Sequence, residues 1–341
     1  MHSRFNAIVV ALTAAALFGA ATPLAKALLG AMSPFMVAGL FYLGSGIGLG
    51  AGIVIRRLRR PAAHADTGHV PKKSELPWLA GAIAAGGIAG PALLMLGLAS
   101  TPAATSALLL NLEGVLTAVI AWVVFRENVD LQVFLGMVAI VAGGVLLSWK
   151  PGAAGVPTGA LLIVGACLCW AIDNNLTRKV SANDAMVIAC MKGLVAGPVN
   201  IAVAVAAGAA WPAAATTAAA MLTGLAGYGV SLVLFVIALR DLGTARTGAY
   251  FSVAPLFGVA LSLLIWPELP SVAFWIAAAL MALGIWLHVR ERHDHEHTHE
   301  RLEHTHDFPY EGDEPHAHPH VHLPITHSHA HFPDIHHRHR H

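Results

Sequence analysis

Long apolar stretches alternate with short polar clusters along the first 289 residues of the chain. Each stretch is about 20 residues long, the length an α-helix needs to cross ~30 Å of hydrocarbon. The stretches are apolar on every face, unlike the alternating segments of about ten residues that are typical of membrane β-barrels. We therefore predict an all-α integral membrane protein with ten transmembrane helices, at residues 5–28, 34–55, 77–98, 102–125, 131–149, 157–177, 184–206, 217–239, 244–266 and 270–289.

The composition agrees with a membrane-embedded chain. Hydrophobic residues make up 56% of the 341 residues, and charged residues make up 11%. An average soluble domain contains about 25% charged residues. A chain with so few charges is poorly suited to a fully solvated surface, so we expect membrane lipid to be its main partner.

Lys and Arg residues are distributed unequally between the two ends of the predicted helices. If the N-terminus is cytoplasmic, 14 of them lie on the cytoplasmic side and at most two, Lys26 and Lys150, lie outside. Cytoplasmic loops of membrane proteins carry an excess of positive charge. The sequence therefore predicts that both termini are cytoplasmic.

The first 289 residues contain two similar halves. With an offset of 141 residues, Glu127 aligns with Glu268 and Gly143 with Gly284, and with an offset near 150 the stretch SPFMVAGL aligns with NDAMVIAC. Each half holds five predicted helices, an odd number, so the second half enters the membrane from the opposite side, as in many secondary transporters. We predict one five-helix repeat over residues 1–150, an inverted second repeat over 151–289, and a separate tail over 290–341.

Three stretches carry a resemblance to a known family. They are LASTPAATSALLLNLEGVLTAVIAWVVFREN, LQVFLGMVAIVAGGVLL and, in the second half, ALRDLGTARTGAYFSVAPLFGVALSLLIWPELP. Over about residues 5–289 the chain resembles the EamA type of the drug/metabolite transporter superfamily. That family usually has a proline where this chain has Gly114, while the second half keeps Pro255. The resemblance implies a ten-helix carrier of the bacterial-type inner (plasma) membrane that works by alternating access.

Two charged residues lie deep inside predicted helices. A charge at the centre of a transmembrane helix costs roughly 2.5–3.5 kcal/mol on insertion scales, so such residues are candidates for function. Glu113 and Lys192 lie at nearly one depth and come from opposite halves, where carriers of this kind place their substrate site. We hypothesise that they face a shared cavity, where they pair with each other or exchange that partner for substrate. A static ion pair between two helices is the alternative.

Further polar and aromatic residues lie near these two. Asn111 and Tyr228 are placed to bind a polar solute or to bond neighbouring helices, and Trp170 is ambiguous between the site and the membrane interface. Asp173 and Asn174 lie close to the cytoplasmic end of their helix. We interpret them as part of the substrate site or of a gate, with solvation of the helix end as the alternative.

The tail is rich in histidine, with 17 histidines in residues 293–341 and few large aliphatic residues. Such a segment cannot bury enough apolar surface to fold, so we predict that it is disordered. The recurring His-x-His pattern suits Zn, Ni, Co or Cu(II) ions, which imidazole binds well. The predicted metal ligands are His293, His295, His297, His299, His304, His306, His316, His318, His320, His322, His327, His329 and His331.

Three functions remain open from the sequence. The first is secondary-active transport of a small polar metabolite or drug, with a metal-binding cytosolic tail; the second is transport of a divalent transition metal (Ni, Co or Zn). The third is a membrane metal sensor or buffer that transports nothing. The phosphate-binding motif G-x-x-x-x-G-K-[ST] is missing from the sequence, and the residues that read H-E-x-x-H, 295–299, belong to the repeating His-x-His pattern of the tail. We therefore expect no enzyme, no required cofactor and no nucleic-acid partner. A homodimer stays possible.

Overall fold

The computed structural model describes residues 2–59, 71–125, 131–148, 156–180, 183–242, 250–251, 253–267 and 269–289, together with four stretches of the tail, 294–299, 302–305, 319–322 and 325–330. The chain divides into two units, Met1–Val289 and Arg290–His341. Glu127 and Glu268, which belong to the acidic turns of the predicted repeats, lie outside the described residues.

The described part of the first unit is entirely helical. Its α-helices are α1 (His2–Leu28), α2 (Pro34–Arg59), α3 (Leu76–Ala82), α4 (Gly90–Ser100), α5 (Ala103–Leu109), α6 (Leu112–Phe125), α7 (Leu131–Ser148), α8 (Thr158–Thr177), α9 (Ala185–Ala206), α10 (Ala214–Gly224), α11 (Ser231–Leu242), α12 (Ala254–Ile265) and α13 (Val272–Val289). Short 3₁₀ turns cover Lys73–Glu75 and Arg178–Val180.

Eight helical stretches are long and apolar enough to cross a membrane, and α12 and α13 are shorter apolar helices. Each of the ten predicted spans overlaps one of these stretches. The eight are Ala7–Leu28, Pro34–Leu58, Lys73–Ser100, Ala103–Val124, Leu131–Ser148, Thr158–Thr177, Ala185–Ala206 and Ala214–Phe235. The chain is therefore a multi-pass membrane protein.

The helical stretch from α3 to α4 is interrupted by a π-helical turn, Ile83–Ala89. Pro91 follows this turn, and a proline has no N–H to donate to a carbonyl of the preceding turn. Carbonyls of the turn are instead bonded by side chains from other helices, namely Gly86 by Tyr42 and Trp170, and Gly87 by Asn200. The regular hydrogen bonding of the helix is therefore interrupted at the point where side chains from three neighbouring helices contact it.

A second π-helical turn, Leu225–Val230, lies between α10 and α11. Two further spans contain breaks: α5 ends at Leu109 and α6 begins at Leu112, and α12 begins at Ala254 after a turn at residue 253. Helices with interruptions of this kind occur where a membrane protein lines a polar cavity, because the freed backbone groups need partners.

Small residues set the closest helix contacts. Helix α2 packs along α9, and α7 packs along α13. A Cβ atom on Gly46 would lie 2.7 Å from the backbone nitrogen of Leu194, and one on Gly193 would lie 2.6 Å from the Cα of Gly46. No side chain fits at either position, so the two backbones touch directly, as small residues allow in membrane helices.

The tail contains four short strands, β1 (Asp294–His299), β2 (Leu302–Thr305), β3 (Pro319–His322) and β4 (Ile325–Ala330). Strand β1 pairs with β4 and β2 pairs with β3, both antiparallel. Disorder of the tail as a whole stays a prediction. The alternation of histidine with other residues has the period of two that a strand requires, so it is compatible with pairing.

Candidate functional site

The candidate site is organised by the last two turns of α8. Asp173 and Asn174 are adjacent on this helix, so their side chains leave it in different directions. Asp173 contacts Lys192 on α9, and Asn174 contacts Glu113 on α6. Helix α8 therefore links the two intramembrane charges that the sequence singles out.

Lys192 and Asp173 form an ion pair. The lysine Nζ lies 2.6 Å from Asp173 Oδ1, and the two side chains are only 17% and 10% exposed. Lys192 Nζ also donates to Thr177 Oγ1 at 2.9 Å, and Thr177 Oγ1 donates to Asp173 Oδ1 at 2.8 Å. The extra hydrogen bonds help offset the cost of removing both charges from water.

Glu113 accepts a hydrogen bond from a neutral group. Asn174 Nδ2 donates to Glu113 Oε1 at 2.9 Å and to Thr117 Oγ1 at 3.3 Å. Asn174 directly follows Asp173 on α8, so its amide connects Glu113 to the ion pair of Asp173 with Lys192. The cluster of Glu113, Thr117, Asp173, Asn174, Thr177 and Lys192, called the polar cluster below, therefore contains two acids and one base.

The backbone carbonyl of Gly86, in the first π turn, joins this cluster to two aromatic side chains. Tyr42 OH donates to it at 2.7 Å and Trp170 Nε1 at 2.9 Å. A Cβ atom on Gly86 would collide with the Asp173 carboxylate. Glycine is therefore required here by the close approach of the acid to the backbone, and this contact fixes the position of Asp173.

A group of aromatic rings lies beside the polar cluster. The ring of Tyr228 lies 5.4 Å from that of Tyr42, 5.7 Å from Phe41 and 6.1 Å from Phe18, and Phe18 lies 5.5 Å from Phe251. Tyr42 joins these rings to the cluster, because its OH donates to the Gly86 carbonyl and Gly86 lies against the Asp173 carboxylate. The site thus has charged groups on one side and ring faces on the other.

The direct pairing of Glu113 with Lys192, one form of the sequence hypothesis, is wrong. Each residue instead bonds to α8, because equal depth in the membrane does not make two side chains point at each other. Asp173 is 7% exposed, which does not fit a role in solvating a helix end. Asn111 lies in the break before α6, where its Nδ2 donates to the Leu108 oxygen at 2.9 Å and to Met281 Sδ on α13 at 3.7 Å, so its side chain bonds a neighbouring helix.

Four residues of the site were not anticipated from the sequence. Thr117 and Thr177 each lie four residues after a predicted site residue, Glu113 and Asp173, and that spacing places them on the same helix face. Tyr42 occupies the position equivalent to Lys192 in the alignment of SPFMVAGL with NDAMVIAC. The sequence gives little indication of the role of Gly86. Its carbonyl accepts hydrogen bonds from two side chains that only the packing of the helices brings to it.

An ion pair outside the polar cluster connects α2 to the start of α9. Arg56 Nη2 lies 2.7 Å from Asp184 Oδ2, and Asp184 caps α9 by accepting from the Met186 backbone N–H at 2.9 Å. Burial raises the pKa of the Asp184 carboxyl, but the hydrogen bonds from Arg56 and Met186 outweigh burial, so the pKa is lower than usual. A cavity of about 150 Å³ adjoins this pair, lined also by Leu232, Val233 and Ile237.

The predicted metal ligands belong to the tail. His293, His306, His316, His318 and His331 lie outside the described residues, and His295, His297, His299, His304, His320, His322, His327 and His329 lie on the strands. Where the structure describes side chains, it contains no group of three or more His, Cys, Asp or Glu residues that could hold a metal ion.

Apolar helices of membrane-spanning length, interrupted around an internal group of charges, define a polytopic membrane protein with the architecture of a transporter. The model of the EamA-like transporter family matches residues 5–149 and, a second time, residues 157–290. The chain therefore belongs to the EamA-like transporter family, which is part of the drug/metabolite transporter superfamily. Membrane transport is the activity that this membership supports.

Two relatives agree with the assignment. An uncharacterized transporter of Methanothermobacter thermautotrophicus is 28% identical over 291 residues, which cover 81% of this chain and 84% of that protein. A solved crystal structure superposes with a TM-score of 0.58 at 20% identity, covering 83% of this chain and 96% of the other. The second likeness shows a shared fold alone.

Proposed function

We propose that the protein is a secondary-active transporter of a small polar metabolite or drug, working by alternating access in a bacterial-type inner membrane. The polar cluster is the observation that carries this proposal. It joins α6, α8 and α9 through charged and amide groups inside otherwise apolar helices. Insertion of such charges into a membrane costs free energy, and apolar residues could hold the helices together without that cost. The family membership supports transport as the activity.

The helix interruptions support an arrangement of ten spans in two inverted repeats. The second π turn begins at Leu225, 142 residues after the first begins at Ile83, and α12 begins at Ala254, the same number of residues after α6 begins at Leu112. Two kinds of irregularity therefore recur with one offset. Positions of this kind can change backbone angles at low cost, so they are suited to act as pivots in alternating access.

The chemistry of the site favours an organic solute over a metal ion. Lys192 neutralises Asp173, while Glu113 is held by the amide of Asn174, which a substrate donor can replace. The aromatic rings beside the cluster offer an apolar surface for the rest of the solute. Glu113 also supplies a carboxylate, a group that can carry a proton as the coupling ion.

Counterflow into proteoliposomes with a pool of metabolites tests the proposal. We expect Glu113→Gln and Lys192→Met to lower the initial rate at least tenfold, because each removes a charge from the site. Thr13→Ala is the control, since Thr13 bonds only within its own helix, to the Val9 oxygen at 2.7 Å. Unchanged transport by both site variants would exclude the polar cluster as the substrate site.

The histidine-rich tail supports a further part of the proposal, a cytosolic segment that binds Zn, Ni, Co or Cu(II) as a store or regulator. It is also the observation that favours the second candidate, transport of the metal itself. Truncation after Arg292 distinguishes them in the same counterflow assay with Ni²⁺, Co²⁺ and Zn²⁺. Loss of metal flux on truncation indicates metal transport, whereas metabolite flux that is unaffected by truncation indicates a regulatory tail. Metal binding without any flux indicates a sensor or buffer.

A further inference from the structure

The pairing of β1 with β4 sorts the residues of the tail by type. His295 is opposite His329, and His297 is opposite His327. Opposed residues of an antiparallel pair lie on one face, and alternate residues share that face. One face of the ladder therefore holds the positions of His295, His297, His299, His327, His329 and Ile325, and the other holds those of Asp294, Glu296, Thr298, Thr326, Ser328 and Ala330.

The pairing of β2 with β3 sorts its residues in the same way. His304 is opposite His320, and Leu302 is opposite His322. The three histidines thus share one face, while Glu303, Thr305, Pro319 and Val321 occupy the other. A shift of either register by one residue would place histidines opposite acidic, hydroxyl or aliphatic residues, so the two ladders hold the registers that match histidine with histidine.

The opposed residues of both ladders are related by the same rule, with Gly312 as the midpoint in sequence of every pair. In each opposed pair the two residues are equally far from this glycine in sequence, as His295 and His329 are, and as His304 and His320 are. The sequence continues this correspondence beyond the strands, where His293 matches His331 and His306 matches His318. The histidines of the two halves of the tail are therefore arranged as mirror images along the chain.

We infer that the two halves of the tail bind divalent metal together, with His295, His297, His327 and His329 forming one centre of the Zn²⁺ type and His304, His320 and His322 forming a second. Opposed residues have Cβ atoms about 4.5–5.5 Å apart, and residues two apart on a strand are about 6.5–7 Å apart. Imidazole groups from such positions can converge on one ion with Zn–N distances of about 2.0–2.1 Å. This inference rests on the proposed binding of metal by the tail.

The metal then determines whether the tail is folded. A two-stranded hairpin is at best marginally stable in water, and the tail contributes few apolar side chains to stabilise one. Binding of an ion by residues from both strands adds its free energy to folding. The two halves of the tail therefore pair when the cytosolic concentration of divalent metal rises, an arrangement called the metal clasp below. Independent His-x-His sites would bind metal without bringing the two halves together.

Zn²⁺ titration of the full-length protein in detergent, against a competing chelating dye, tests the metal clasp. We compare His295→Gln/His297→Gln, His327→Gln/His329→Gln and the combination of all four. Each double variant is expected to weaken the tightest site at least tenfold, and the fourfold variant no further, because either half alone destroys the shared centre. The control is His339→Gln/His341→Gln, which removes an equal His-x-His pair whose mirror positions, Leu283 and Ile285, cannot bind metal.

Two results would overturn the inference in distinguishable ways. Equal, additive losses in all three double variants would mean that each His-x-His pair binds alone, which removes the metal clasp but keeps metal binding by the tail. Absence of Zn²⁺ binding in the parent protein would exclude both the shared metal centre and the proposed binding of metal by the tail. Transport in the same preparation is measured separately, so neither result bears on the polar cluster.

A distance measurement provides the second readout. Spin labels on Thr298→Cys and Thr326→Cys, which are opposed on the face without histidine, are placed in a variant that lacks Cys167, Cys169 and Cys190. Zn²⁺ is expected to narrow the distance distribution to the short separation of paired strands, and to have no effect after His327→Gln/His329→Gln. A broad distribution that saturating Zn²⁺ leaves unchanged contradicts the metal clasp.

Discussion

Asp173 connects the charged groups of the site at the scale of single residues. It receives Lys192 Nζ and Thr177 Oγ1, and its carboxylate lies against the backbone of Gly86. Because one acid makes all of these contacts, its removal affects both the stability of the helix bundle and the arrangement of the substrate site. Those two effects can be separated by changing its partner as well.

Asp173→Asn is expected to destabilise the protein by about 3–5 kcal/mol, because it leaves Lys192 buried without its counter-charge. The double variant Asp173→Asn/Lys192→Met removes both charges, so we expect most of the stability to return while transport stays lost. Thermal unfolding in detergent and counterflow measure the two effects. Recovery of transport in the double variant would show that the pair is structural only.

Gly86→Ala tests the close approach of the acid to the first π turn. The added methyl group would collide with the Asp173 carboxylate, so we expect the acid to shift, the contact with Lys192 to weaken and the rate of transport to fall at least tenfold. Gly52→Ala is the matched control, because a Cβ on Gly52 meets nothing within 4 Å. Equal transport by the two variants would contradict the role given to Gly86.

At the scale of helices, the ion pair of Arg56 with Asp184 joins the end of α2 to the start of α9. The folded-state pKa of Asp184 is lower than usual. Its contribution to stability is therefore complete above the ordinary pKa of an aspartate and is lost as the pH falls through the lowered value. Since Arg56 is 36% exposed, solvent screening limits this contribution to about 1 kcal/mol or less.

Asp184→Asn is accordingly expected to lower the thermal unfolding temperature slightly at pH 7, and to have no effect once the pH is below the lowered pKa of the folded protein, where the parent carboxyl is also protonated. Melting curves across this range measure the difference. Arg56→Ala serves as the control, because removal of the partner should produce the same small loss and the same convergence at low pH. A difference that persists in acid would mean that the carboxyl charge is not responsible.

The sequence predicts the helices well and their interactions poorly, for a physical reason. Length and hydropathy are local properties, so each predicted span overlaps an apolar helical stretch. The break between α5 and α6, inside a span predicted as continuous, has no proline to mark it. The partner of Lys192 also depends on which face of each helix packs inward, and depth alone does not specify that face.

At the scale of the whole molecule, the proposed inverted repeats require equivalent positions to lie on opposite sides of the membrane. Ser33 precedes α2 and Asn183 precedes α9, and the two are equivalent in the alignment of SPFMVAGL with NDAMVIAC. Ser33→Cys should therefore react with a membrane-impermeant maleimide added outside intact cells. Asn183→Cys should react only after permeabilisation.

Both single-cysteine variants are made in a protein without Cys167, Cys169 and Cys190, so that only the introduced thiol reacts. The pattern follows from parity, because five spans separate the two positions and an odd number of crossings reverses the side. A parallel arrangement of the halves would need an even number of crossings between Ser33 and Asn183. Labelling of both cysteines from the same side would therefore exclude the inverted repeat, and with it the use of the two π turns as symmetric pivots.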